Sequence, residues 1–192
     1  MIHLPLFPLN SVLFPGGYLS LRIFETRYLD MVSACLKDDL PFGVCLIREG
    51  SEVGHPAEPY AIGTTARIVD WDRRSDGLLG ITARGEQRFR IVRREIADNR
   101  LLMAHVAPIA EPPPIPLADD HRDLKRLLEQ ILKELGGPYP FQDSDLDNAQ
   151  WVASRLCEML PIPLIDKQRL LEMDTPRERL DALVKRLRRQ AT

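Results

Sequence analysis

Few side chains in this sequence have the types and spacing that catalysis or metal binding requires. The four histidines are scattered singly, and none stands at ligand spacing from another histidine or from a cysteine. They are His3, His55, His105 and His121. Metal sites that can be read from a sequence place their ligands a few positions apart. The sequence therefore predicts no metal ion and no other cofactor.

The motifs of common enzyme classes are also missing. The sequence has no P-loop, no Gly-x-Ser-x-Gly elbow and no His-Glu-x-x-His pair. The carboxylate pairs Asp38-Asp39 and Asp119-Asp120 stand at expected helix ends, which favours capping over acid–base chemistry. We therefore predict no catalytic residue and a protein that is not an enzyme. A hydrolase assembled from residues distant in sequence stays open as an alternative.

Composition and cysteine usage are typical of a soluble intracellular protein. The 192 residues are 44% hydrophobic and 28% charged, and the formal net charge of -2 creates no overall field for nucleic acid or membrane. Cys35, Cys45 and Cys157 are odd in number and lie in apolar runs, which predicts buried, reduced thiols. No signal peptide and no apolar run of the roughly 20 residues that span a membrane is recognisable. A cytoplasmic location without a membrane partner is expected.

One local charge cluster stands out in the middle of the chain. It contains Arg84, Arg88, Arg90, Arg93, Arg94 and Arg100 against Glu86, Glu95 and Asp98. A positive strand face of this kind is one way to bind RNA phosphates, with Arg84, Arg88 and Arg90 as contacts. Alternation turns Phe89 and Ile91 toward a core and Arg88 and Arg90 toward water, so no aromatic platform is left for bases. A solvated strand face is the simpler interpretation, and RNA binding is the alternative.

Two aromatic residues are candidate contacts for another protein. Trp71 lies between Asp70 and Asp72 at the end of a predicted strand, where a partly exposed indole suits protein binding. Phe14 precedes Pro15 and is a second candidate anchor. Each residue fits a buried core position equally well, and the sequence leaves both alternatives open.

Hydrophobic periodicity predicts a β-rich first part of the chain, residues 1–110. Short apolar or alternating runs separated by Gly, Pro and Asp predict seven strands. They are Ile2–Leu6, Tyr18–Ile23, Phe42–Arg48, Tyr60–Trp71, Leu78–Ala83, Gln87–Val92 and Leu101–Ile109. One helix from Glu25 to Lys37 interrupts them, with an apolar stripe of Tyr28, Met31, Val32 and Cys35.

The second part of the chain has helical periodicity. Residues 111–118 form a stiff, proline-rich connector, and residues 119–192 follow it. The predicted helices are a stripe from Leu124 to Leu135 closed by Gly136-Gly137-Pro138, a helix from about Asp145 to Leu160, a short helix with Leu170 and Leu171, and a last helix with Thr175 as N-cap, Pro176 and a capping-box Glu178. We predict an α+β protein: a mainly antiparallel, barrel-like β lobe with one embedded helix, and a small C-terminal helical bundle packed on it.

An ordered set of motifs resembles the Lon protease N-terminal domain family along nearly the whole chain. The set comprises Leu4-Pro5-Leu6-Phe7-Pro8-Leu9, Val12-Leu13-Phe14-Pro15-Gly16-Gly17, Leu21-Arg22-Ile23-Phe24-Glu25, Arg27-Tyr28, Ile62-Gly63-Thr64-Thr65-Ala66-Arg67-Ile68, Asp76-Gly77, Gly85, Arg88-Phe89-Arg90-Ile91, Lys167-Gln168-Arg169-Leu170-Leu171-Glu172 and Arg179-Leu180. Most of these residues have structural meanings. Gly63 and Gly85, for example, mark points where the backbone bends or another segment comes close.

The resemblance implies a PUA-like fold and a role in contacting protein substrates. Because the chain ends at Thr192, where a full Lon protease continues into its ATPase and Ser-Lys protease domains, we expect a stand-alone module without proteolytic activity. The expected partners are unfolded or partly folded polypeptides and a protease or chaperone system. Recognition of exposed apolar segments is the leading hypothesis.

Overall fold

The computed structural model describes residues 1–135 and 141–190 and forms two compact units, Met1–Ala110 and Glu111–Thr192. The first unit consists of β1 (Ile2–Leu9), β2 (Tyr18–Ile23), α1 (Thr26–Asp38), β3 (Phe42–Glu49), β4 (Glu58–Pro59), β5 (Ile62–Arg73), β6 (Leu79–Ile96) and β7 (Leu102–Pro108). The described part of the second unit contains α2 (Arg122–Leu135), α3 (Ala149–Met159), α4 (Leu164–Glu172) and α5 (Pro176–Gln190). The predicted combination of a mostly antiparallel sheet with helices is confirmed.

The sheet of the first unit has the strand order β1-β7-β6-β5-β3-β4. All of these neighbours are antiparallel, and β1 also pairs with β3 in parallel, from Leu6 opposite Gly43 to Leu9 opposite Leu46. The remaining strand, β2, lies off this path and pairs with β6. β2 is therefore an edge strand: one of its edges pairs with β6, and no strand of the described residues pairs with the other edge.

Two apolar clusters fill the first unit. The larger contains the predicted stripe of α1 together with Phe7, Leu9, Leu13, Ile23, Phe42, Val44, Ala66, Ile81, Ala83 and Leu101. The smaller contains Leu4, Leu6, Cys45, Phe89, Leu102, Ala104 and Val106. Leu6 and Phe7 are neighbours in β1 but belong to different clusters, because successive side chains of a strand point to opposite faces.

The long strand β6 joins two segments that the sequence predicted as separate strands. Gly85 lies at the join, and a Cβ at this position would come within 2.5 Å of the Phe14 carbonyl oxygen. The Gly85 N–H donates to the carbonyl of Gly17, and the Gly16 N–H donates to the carbonyl of Gly85. The glycine is therefore needed for close approach of another segment, as predicted, and does not end the strand.

The second unit shows how local capping sets helix boundaries. The predicted capping box is present, since the Glu178 N–H donates to Thr175 Oγ1 at 3.2 Å and the Thr175 N–H donates to Glu178 at 3.1 Å. The helix predicted from Asp145 begins only at Ala149, because the Asn148 side chain accepts N–H bonds from the first turn and a 3-10 turn precedes it. The predicted stop at residues 136–138 lies outside the described residues.

Candidate functional site

A groove runs beside the outer edge of β2, and we call it the edge groove. Within 1–135 and 141–190, β2 pairs only with β6, so its other edge carries no partner strand. The groove encloses about 260 Å³ and is lined by β2 residues Ser20–Ile23, by Phe7, Leu9, Phe24 and Tyr28, and by Glu25, Glu52 and Val53. An unpaired strand edge presents backbone N–H and C=O groups that can pair with another chain.

The floor and rim of the edge groove are apolar. Phe7 and Tyr28 stack with their ring centroids 4.0 Å apart and belong to the buried core. Burial also raises the pKa of the Tyr28 phenol, so the ring stays neutral at ordinary pH. Phe24 and Val53 are 54% and 55% exposed at the rim. The groove therefore offers a rigid apolar floor with two solvent-accessible apolar side chains above it.

Two carboxylates form one wall of the edge groove. Glu25 pairs with Arg27 at 3.0 Å and accepts an N–H bond from Gly54. Glu52 accepts the backbone N–H of Asn10 at 2.5 Å. These bonds fix the segment of Glu52 to Gly54 against the end of β1 and the start of α1, so the wall is positioned by side-chain to backbone contacts between distant parts of the chain.

Trp71 belongs to the same sheet face as the edge groove. The strand register places Trp71 opposite Ile81 and Ile81 opposite Leu21, and residues directly opposite each other share a face. Leu21 lines the groove, whereas Trp71 lies two strands away and is 60% exposed. Ile81 is buried in the larger cluster, so the groove and the exposed indole are separate patches on one sheet face. Trp71 is exposed, which was one of the two alternatives that the sequence left open.

A second groove lies against α1, and we call it the α1 groove. It encloses about 410 Å³ between β1, α1 and the connection from β6 to β7. Its apolar lining includes Ile2, Pro5, Met31, Ala34, Leu40, Leu101 and Met103, and His3, Asp30 and Asn99 are among its polar members. Ile2 and Leu40 are exposed at its rim. This groove is larger than the edge groove, and among the described strands its β1 residues Ile2 to Pro5 pair only with β7, since the pairing of β1 with β3 begins at Leu6.

Phe14 is a buried core residue, which was the predicted alternative to a role as an exposed anchor for a partner protein. Its side chain is 0% exposed, in the segment that crosses Gly85. The Gly17 N–H donates to the Phe14 carbonyl at 3.0 Å, which fixes the turn that follows. Phe14 is therefore unavailable to a partner in this structure.

The predicted exposure of Arg88 is wrong, because its side chain is only 1% exposed. Arg88 does alternate with Phe89, but both faces of the sheet are covered at this point: Arg88 pairs with Thr64, which is 0% exposed. The Thr64 hydroxyl donates to the Leu13 carbonyl at 2.6 Å. Phe89 then faces the smaller apolar cluster, as predicted.

The remaining members of the arginine run have mixed surroundings. Arg84 and Arg90 are exposed, as the solvated-face interpretation requires. Arg93 pairs with Glu95 at 3.0 Å, and Arg94 pairs with Glu58. Hydrogen bonding to Arg94 lowers the pKa of Glu58, so this carboxylate remains charged and offsets the arginine. The run is thus partly neutralised and lacks Arg88 as a surface cation.

Sequence spacing failed to reveal one cluster of possible metal ligands. His3 and His105 stand opposite each other in β1 and β7, and Glu95 of β6 joins them, with its carboxylate 3.3 Å from His3 Nε2. One ligand atom from each of the three residues lies within 4.8 Å of the others. We call this the histidine cluster. The histidines are 102 positions apart in sequence, so only the strand register brings them together.

The cysteines offer no nucleophile. All three are free and buried, as predicted. Burial raises the pKa of Cys35 and Cys45, and it raises the pKa of Cys157 to about 12. The thiolate form that reacts with electrophiles is therefore suppressed at neutral pH. Separately, no helix in the described ranges 1–135 and 141–190 has the length and apolar character that a membrane crossing needs.

Comparison with known proteins gives a family match along nearly the whole chain. Residues 3–189 match the model of the ATP-dependent protease La (LON) substrate-binding domain. A crystal structure of a Lon N-terminal domain protein from Xanthomonas campestris is 39% identical, with a TM-score of 0.81 over 96% of this chain and 98% of that one. The N-terminal domain of the Mycobacterium avium complex Lon protease shares the fold, with a TM-score of 0.67, 16% identity, and coverage of 96% of this chain and 97% of that one.

Full-length Lon proteases match over part of their length. The Lon protease of Anaeromyxobacter dehalogenans is 23% identical over 195 residues, which cover 97% of this chain and 23% of that protein. Lon protease 2 of Myxococcus xanthus is 26% identical over 196 residues, which cover 97% and 24%. The chain therefore spans about a quarter of the length of these curated relatives.

Proposed function

The chain belongs to the family of Lon substrate-binding domains, and from this premise we propose that it binds exposed apolar segments of unfolded or partly folded polypeptides at the edge groove. The observation that carries the proposal is the unpaired edge of β2 beside an apolar groove. An extended segment is proposed to add to β2 as a further strand, with one apolar side chain in the groove. Backbone pairing accepts many sequences, which suits a module that recognises varied polypeptides.

The residues around the edge groove would favour some polypeptide segments over others. The Glu25 and Glu52 wall favours segments with a basic residue beside the apolar one, because opposite charges attract across a shallow site. Trp71 is proposed to contact a more distant part of the same polypeptide, since its indole is 60% exposed and lies on the sheet face that Leu21 shares. An exposed indole provides large contact area with little loss of side-chain freedom.

We further propose a fold, a location and a role for the chain that follow the Lon substrate-binding domain family. The pairing of β1 with both β7 and β3 supports a PUA-like, barrel-like arrangement of the first unit. Free, buried thiols support a reducing, cytoplasmic location. The module is proposed to be non-catalytic and to deliver polypeptides to a protease or chaperone system. No comparison supports the RNA alternative.

The two tryptophans allow binding to be measured directly. Trp71 is 60% exposed, whereas Trp151 is half-buried on α3. In a Trp151→Phe variant, titration with a permanently unfolded model polypeptide should shift the Trp71 emission to shorter wavelength as the indole leaves water. Binding in the micromolar range is expected, with a modest weakening between about 50 and 200 mM salt as the attraction to the Glu25 and Glu52 wall is screened, and without the steep salt dependence of phosphate contacts.

A matched pair of valines tests the location. Val53 at the groove rim and Val92 in β6 are 55% and 57% exposed, so their loss should affect folding alike. Val53→Ser should weaken polypeptide binding by roughly fourfold, since about one buried methylene is lost at about 0.8 kcal/mol, and Val92→Ser should leave it unchanged. Equal effects of the two substitutions, or no association at high micromolar concentration, would refute the proposal.

A further inference from the structure

The histidine cluster combines three ligands of two types that transition metals favour, two imidazoles and one carboxylate. His3 and His105 stack with ring centroids 4.5 Å apart and an interplanar angle of 25°, directly across the antiparallel pair of β1 and β7. Glu95 projects from β6 and reaches His3 Nε2 at 3.3 Å. The three residues come from three neighbouring strands of one sheet, so the backbone that carries them is held by ladder hydrogen bonds.

From this geometry we propose that His3, His105 and Glu95 bind a divalent transition-metal ion, with Zn²⁺ as the reference case. Two imidazole nitrogens and one carboxylate form a common set of protein ligands for zinc, with water completing a tetrahedron. Metal binding at the histidine cluster would be independent of polypeptide binding at the edge groove. The description of the matching family names no metal ion.

The distances require only side-chain adjustment. Zn–N bonds of about 2.0–2.1 Å at a tetrahedral angle place two ligand nitrogens roughly 3.4 Å apart. The ligand atoms now lie within 4.8 Å of one another. The side chains of His3 and Glu95 are 44% and 42% exposed, so they have room to turn and an ion can reach them from solvent.

Arg93 is the natural competitor for the site. It stands opposite His105 and pairs with Glu95 at 3.0 Å. A bound ion would have to displace the guanidinium from the carboxylate. Substitution of Arg93 should therefore strengthen metal binding, because it removes the Arg93–Glu95 ion pair that competes with the metal for the carboxylate.

The position of the site connects it to the α1 groove. His3 lines this groove, as does Met103, which stands opposite Glu95 in the sheet. Coordination would hold the His3 ring against β7 and fix one wall of the groove. The amino-terminal strand would at the same time be joined to β6 and β7 by a link that chelators can remove.

The test uses the full chain, treated with chelator and then titrated with Zn²⁺ by calorimetry and with Co²⁺ by visible absorption. One ion per chain is expected, and tetrahedral Co²⁺ should give intense visible bands. His105→Gln and His3→Gln should each weaken binding at least about tenfold, since even outer partners of metal ligands contribute that much. Glu95→Gln should weaken it and Arg93→Ala should strengthen it. His55→Gln, at an exposed and isolated histidine, is the matched control and should change nothing.

Several results would overturn the proposal. They are the absence of binding at 1 mM metal, equal weakening by His55→Gln, or unchanged affinity in His105→Gln. The last result, combined with loss of binding in His3→Gln, would mean that His3 acts with the nearby amino terminus instead of with β7. Unchanged affinity in both Glu95→Gln and Arg93→Ala would exclude the carboxylate. Thermal unfolding without metal should match the parent in every variant, which separates ligand loss from misfolding.

Discussion

The contrast between Phe14 and Trp71 gives a prediction that separates folding from binding. Both residues were equivalent candidates for an exposed anchor in the sequence. The structure buries Phe14 completely and leaves Trp71 60% exposed. Phe14→Ala and Trp71→Ala should therefore differ in which measured quantity they change.

The magnitudes follow from burial. Phe14→Ala removes a fully buried ring and should lower the free energy of unfolding by about 3–5 kcal/mol. At roughly 2–4 °C per kcal/mol for a chain of this size, the melting temperature should fall by at least about 6 °C. Trp71 buries only about two fifths of its surface, roughly 100 Å², so its truncation should cost at most about 2 kcal/mol. It should weaken polypeptide binding at least as much as Val53→Ser.

Chemical denaturation followed by far-ultraviolet circular dichroism measures the first quantity, and calorimetric titration with the unfolded model polypeptide measures the second. Phe14→Ala should bind normally at temperatures where it is folded. A Phe14→Ala protein as stable as its parent would contradict the burial argument. A Trp71→Ala protein that binds normally would remove Trp71 from the proposed surface.

Three further predictions concern stability. The buried thiols should react with Ellman's reagent only after unfolding, and stability should fall as the pH rises above about 8.5, the unfolded thiol pKa, because the raised folded pKa values keep protons that the unfolded state releases. Thr175→Ala should cost about 1 kcal/mol in urea unfolding, since it breaks the capping box of α5. Gly63→Ala should cost at least about 3 kcal/mol, because its Cβ would collide with the Val44 carbonyl, whereas Gly80→Ala meets the mobile carboxylate of Asp72 and should cost under about 1 kcal/mol. Stable Gly63→Ala, unaffected Thr175→Ala or rapid thiol reaction in the native state would each refute the corresponding step.

Hydrophobic periodicity predicted helices and strands well where all the residues that form the pattern lie within one segment. The stripe of Tyr28, Met31, Val32 and Cys35 on α1 is buried as its spacing requires. The strand Tyr18–Ile23 has the predicted bounds. Both depend on periodicity within about a dozen residues, which is visible in the sequence without knowledge of any partner.

Features that depend on pairing between distant segments could not be predicted. Leu78–Ala83 and Gln87–Val92 were predicted as separate strands, whereas β6 continues through Gly85, which admits the Phe14 segment. Arg88 is buried because both faces of the sheet are covered at its position, and the alternation within a strand does not reveal what covers each face. The pairing of His3 with His105 is likewise a property of register, because it needs the alignment of β1 with β7.

The proposed binding mode explains why the sequence contains so little evidence of its own site. A strand edge binds through N–H and C=O groups that nearly every residue possesses, so recognition by β2 requires no catalytic motif and no ligand spacing. The sequence signal is then confined to exposed apolar residues such as Trp71, and these resemble core residues until the structure separates them. Val53 and Val92 make the point most directly, since they are the same residue type with nearly equal exposure and differ in the surface that surrounds them. If the edge groove is the site, only the first should matter to a bound polypeptide.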